Sequence, residues 1–153
     1  MNLGVSLMEQ DALLESDPAR VAEASAQYRE AARLLVERGA TGTEAYANVQ
    51  VNLCDLLIGT GEYAKALETC EEVARRRPDD ATAYYNIAAV HALSGRPDEA
   101  FAALERDVDL GDSDDRYLET DPWFESLRGD RRFGELLDRM RAQAAPDRGK
   151  GST

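Results

Sequence analysis

Histidine, cysteine, basic charge and long apolar runs are what this sequence has least of. Its 153 residues include one histidine, His91, and two cysteines, Cys54 and Cys70. Neither cysteine belongs to a CxxC pair, and no histidine lies near either in sequence. That argues against a zinc site or a disulfide scaffold and makes a reducing cytoplasm the simplest home. Acid–base chemistry through His91 would need a nucleophile or carboxylate aimed at it. Its place in a helical stripe fits a partly buried packing residue instead. Phosphate-loop, GxSxG and HExxH patterns are absent. No apolar run is long enough to span a bilayer. The opening MNLGVSLMEQD has no basic stretch and meets acid at Glu9 and Asp11, so it does not read as a secretory signal. Lys and Arg number 18 against 30 Asp and Glu, a formal net charge of -12. Nucleic acid and anionic membrane both demand clustered cations, so neither is an expected partner.

What the chain does have is a repeated pair of short helices. YYNIAAVHALSGRPDEAFAAL, from Tyr84 to Leu104, lies over VNLCDLLIGTGEYAKALETC at a shift of about 34 residues. Asn86 falls on Asn52, Gly95 on Gly61 and Ala100 on Ala66. Leu53, Leu56 and Leu57 recur at helical spacing, as do Ile87, Val90 and His91. Small residues at Cys54, Ala88, Ala66 and Ala100 let two helices approach closely. Gly61 and Gly95 suit the left-handed turn that ends a helix. All five prolines fall at element boundaries, Pro97 at the first turn of a helix.

These residues resemble the tetratricopeptide repeat family. The pattern is carried by NLCDLL, GEY, KALETC and RRRPDD in one copy and by NIAAVH, GRP, EAFAAL and DLGD in the next, across Ala47 to Gly111. His91 departs from the aromatic usual in the family, and Asp112 stands where proline would be. Two such hairpins rarely fold alone, and a weaker copy precedes them. NLGVSLMEQ lies on NLCDLLIGT, with Asn2 over Asn52. VAEASAQYREAA lies on YAKALETCEEVA, with Ala24 over Ala66. The offsets are 50 and 42 residues, so the first turn holds about eight more. That first helix begins abruptly at Met1, which points to a chain starting inside a larger protein.

After Gly111 the pattern changes. Asp121 and Pro122 read as a helix start, and Phe133, Leu136, Leu137 and Met140 form one stripe. This segment resembles the end of many bacterial repeat proteins and reads as a cap, with Trp123 anchoring on the last repeat and Phe124 beside it. The expected organisation is one domain over residues 1–144, with repeats at about 1–40, 41–80 and 81–111 and a cap at 112–144. Residues 145–153 have the composition of a disordered tail. Between Glu105 and Glu125 stand nine acids and two arginines. Gly111 and Asp112 break the EF-hand order, so a solvated acidic loop is expected rather than a calcium site. Cys54 and Cys70 read as buried, inert thiols in one hairpin seam, although a disulfide is geometrically conceivable there.

The fold expected is all-α: a right-handed α-solenoid of about three tetratricopeptide-like hairpins plus C-terminal capping helices. The resemblance implies a non-enzymatic scaffold or adaptor, without metal or cofactor, that holds a peptide or helix of a neutral to basic protein partner in a concave groove. The alternatives are a regulatory or self-association module of a larger enzyme or transcriptional regulator. With Leu53, Cys54 and Leu57 in the seam, the groove side holds Asn48, Val51, Asn52 and Asp55 in one copy and Thr82, Tyr85, Asn86 and Ala89 in the next. Members of the family that clamp a chain terminus use Lys and Arg here. Val51 and Tyr85 stand at the matching positions, so a chaperone-tail clamp does not fit.

Overall fold

Five of the seven α-helices among the described residues start on a side chain that accepts a hydrogen bond from the first turn. A computed structural model describes residues 17–145. The expected first helix, around Asn2, and residues 146–153 of the expected tail lie outside the described residues. Helix α1 runs Pro18–Glu37, capped by Asp17 with proline in its first turn. Helix α2 runs Glu44–Gly59, where Thr43 Oγ1 accepts from Tyr46 N. Helix α3 spans Tyr63–Arg76 and helix α4 spans Ala81–Leu93, the latter capped by Asp80. Helix α5 is Pro97–Asp109 and the short α6 is Asp115–Thr120, capped by Asp114. A 3-10 helix, Pro122–Leu127, starts on Asp121, and helix α7, Arg131–Ala144, on Asp130. Carboxylates and hydroxyls at these positions satisfy amides that have no partner within the helix. No strand occurs among the described residues.

The chain forms two compact units, one ending at Arg77 and the other starting at Pro78. In the first, α2 and α3 form an antiparallel hairpin and α1 packs on α2. The turn is tight because Gly61 takes φ 76°, which lets Glu62 N reach back to Leu57 O at 2.9 Å. Cys54, Ala66 and Cys70 fill the seam and are wholly buried. In the second unit α4 and α5 repeat the arrangement. Gly95 takes φ 72°, Arg96 N reaches His91 O at 2.9 Å, and Ala88, Ala100 and Leu104 fill the seam with no exposure.

The expectation of separate thiols is corrected. Cys54 and Cys70 are joined in a disulfide, with their Cα atoms 5.8 Å apart, and no free cysteine remains. The reason is geometric. In an antiparallel hairpin the two seam positions point at each other, and this separation lies in the range that a disulfide spans. The 3.2 Å approach of Cys54 Sγ to Ala66 O is then a packing contact, since a disulfide sulfur carries no proton. The argument from unpaired thiols to a reducing compartment loses its premise.

Helices α3, α5 and α7 begin at residues 63, 97 and 131. The C-terminal segment therefore keeps the spacing of a further helical hairpin. Gly129 stands on Gly95 and Gly134 on Ala100. Pro122 falls on Ala88, and proline cannot sit inside a helix without losing a backbone bond. The leading helix of this copy is accordingly split into α6 and the 3-10 helix.

Candidate functional site: the leading faces of the two hairpins

Helix α2 buries one side and presents the other. Tyr46, Ala47, Leu53, Cys54, Leu56, Leu57 and Ile58 are inside. Ala45, Asn48, Asn52 and Gly59 are exposed and Asp55 is half-buried. Spacings of three and four residues place these on a single stripe. Val51 was expected on this stripe but lies inside at 9% exposure, since it is one residue round from Asn52 and turns toward the core.

Helix α4 is different. Eight of its 13 residues are buried, on every side of the helix. Thr82 is exposed, but Tyr85, Asn86 and Ala89, expected to face a groove, are at 7%, 3% and 0% exposure. The cover is the protein's own 3-10 helix, packed along α4. The Phe124 and Tyr85 rings meet edge to face, centroids 5.1 Å apart, and the Tyr117 ring is tilted against Tyr85 at 5.6 Å. The Tyr85 hydroxyl donates to Asp121 Oδ2 at 2.6 Å. Asp121 Oδ1 accepts from Trp123 N at 2.9 Å, and its carbonyl accepts from Arg128 Nη2 at 2.9 Å. Ser126 Oγ donates to Ala92 O at 3.4 Å. Burial raises the Asp121 carboxyl above its ordinary range, against the hydrogen bonds that hold it down. Burial and the same carboxylate push the Tyr85 hydroxyl far up, so it remains a donor at any working pH.

Which aromatic is buried also differs from expectation. Phe124 is fully enclosed, whereas Trp123 is only half-buried. Phe133, Leu136 and Leu137 are buried as expected, on the face of α7 that packs against α5 and α6. One signal for the covered α4 face was present in the sequence. Ala81–Leu93 contains no Asp, Glu, Lys or Arg, and a helix without a charged side belongs inside.

The acidic stretch is not simply solvated. Arg139 pairs with Asp109, and Arg141 holds Asp115 at 2.6 Å and Glu119 at 3.1 Å. Arg132 meets Asp98 at 2.8 Å with its guanidinium 4.3 Å from the Phe101 ring centroid. Such half-exposed pairs add little to stability singly, but they fix where α7 lies on α5 and α6. Among the described residues no cluster of His, Cys, Asp and Glu is arranged to hold a metal ion.

Removing only the Tyr85 oxygen tests the covered face. Tyr85→Phe leaves the buried Asp121 Oδ2 without its donor, so chemical denaturation should show a loss of about 1–3 kcal/mol. An unchanged midpoint would mean that Asp121 faces solvent.

The tetratricopeptide repeat profile matches residues 45–109. That stretch begins in α2 and ends with α5, so it covers the two hairpins with their seams and glycine turns. Residues 45–109 are therefore a tetratricopeptide-repeat segment, and repeats of this kind are modules of protein–protein interaction. No curated protein and no solved structure matches the chain. No helix among the described residues is long and apolar enough to cross a membrane.

Proposed function

We propose that the protein is a non-enzymatic adaptor that takes a segment of a partner protein on the exposed face of α2, through Asn48, Asn52 and Asp55. The observation that supports this reading is the contrast between the two leading helices. The face of α4 is filled by the chain itself, while the same face of α2 carries polar side chains toward solvent. Asparagine offers both a donor and an acceptor to a peptide backbone. Asp55 and the net charge of -12 favour a neutral to basic segment. In the second unit Thr82, at the start of α4, is the expected groove residue that stays exposed.

The test is capture from native lysate, followed by affinity measurement with the partner found. Asn48→Arg with Asn52→Arg should weaken binding at least tenfold and leave helix content intact. Glu68→Arg with Glu71→Arg, on exposed positions of α3, should change it little. The opposite pattern would move the partner to α3. Capture of this chain alone would favour a self-association module.

A further inference from the structure

We propose that Cys54 and Cys70 are a redox-set staple, closed while the α2–α3 hairpin is open and sealed from solvent once it folds, so that the stability of the first unit depends on oxidation history. The geometry carries it. The disulfide joins the two helices that make most of this unit's core, and both sulfurs are at 0% exposure. Helix α1 adds only Ser25 and Ala32 to the buried set, so α2 against α3 is what holds the unit together. Packing alone does not call for sulfur there. The second unit closes the equivalent seam with Ala88 and Leu104, equally buried and unbonded.

The chemistry is ordinary thiol–disulfide exchange with a small oxidised thiol of the glutathione-disulfide class. One cysteine thiolate attacks a sulfur of that disulfide, forming a mixed disulfide and expelling one thiolate, which takes up the proton the cysteine lost. The second cysteine, also deprotonated, then attacks its neighbour's sulfur. This expels the remaining thiolate, which takes up the second proton. Two protein thiols are oxidised to one disulfide and one external disulfide is reduced to two thiols. Each step needs a thiolate and an approach path. The folded hairpin offers no path, so formation and reduction both wait on opening. A cross-link between residues 16 apart restricts the open chain more than the folded one. Closing it thus favours the folded hairpin, independently of any partner.

The test uses the full chain purified in air. Alkylation with iodoacetamide in denaturant should add nothing without reductant and two groups after reduction. Hydrogen exchange at pH 7 should show the α2 and α3 amides opening about a hundredfold more often in the reduced protein than in the oxidised one. The variant carrying Cys54→Ala and Cys70→Leu, the pair used by the second hairpin, should exchange identically with and without reductant. Two alkyl groups added without reductant would overturn the proposal. So would equal exchange in the oxidised and reduced wild-type protein.

Discussion

Phe124→Ala should be the most damaging single truncation in the second unit, at about 3–5 kcal/mol. The side chain is fully buried, so the loss combines the transfer of a whole ring with the cavity left behind. The cavity cannot close easily. Proline and the Asp121 cap fix the 3-10 backbone on one side, and α4, which presents the Tyr85 ring, lies along the other. The edge-to-face contact with Tyr85 is lost as well. A compact unit of this size loses about 4–8 °C of melting temperature per kcal/mol, so the second unit should melt far earlier than in the parent. Trp123→Ala, at the half-buried neighbour, should cost clearly less. If calorimetry shows the reverse order, the 3-10 helix is rotated from the position described.

What could be read in advance followed from repetition. Gly61 and Gly95, Ala66 and Ala100, and Asn52 and Asn86 each recur one repeat apart, so the two hairpins and their seams were legible. The further hairpin in the C-terminal segment, read as a cap, was harder to see. Its leading helix is broken by Pro122, and Gly134 takes the place of the seam alanine, so size class no longer matched. Gly129 and the helix start at Arg131 keep the interval and were the surviving signal. The groove was misread at α4 for a physical reason. A helical wheel tells which residues share a face but not what covers that face. Tyr85 has an apolar ring that takes Phe124 and a hydroxyl that reaches Asp121, 36 residues away. The disulfide was hidden because a cysteine and a small apolar residue fill a seam equally well. Only the facing of two Cβ atoms across the hairpin distinguishes them.

Asp107→Asn should stabilise the protein at neutral pH, by about 2–4 kcal/mol, and leave it nearly unchanged at pH 4. Asp107 lies near the end of α5 with 1% exposure, and its Oδ2 meets no donor. The neighbouring groups offer it no cation. Asp112, from the following turn, presents a second carboxylate, and α4 presents the Tyr85 hydroxyl. The arginines of α7 that approach α5 and α6 are held by other acids, Arg139 by Asp109 and Arg141 by Asp115 and Glu119. The end of a helix is also unfavourable for negative charge. Burial first, and then the Asp112 carboxylate, push Asp107 up to about 9. The folded protein therefore holds it as a neutral acid that can donate to Asp112, while the unfolded chain ionises it near the ordinary value of about 4. Folding takes up a proton throughout that window. Stability is greatest below pH 4 as far as this group is concerned, falls by about 1.4 kcal/mol per unit as pH rises, and reaches its floor once pH passes 9. Asparagine keeps the shape and a hydrogen-bond donor without the titration. Urea melts from pH 4 to 9 should thus show the wild-type midpoint falling relative to that of the variant, with the gap widening up to about pH 9. Parallel curves across that range would mean that Asp107 is charged in the folded state and has a cation beside it.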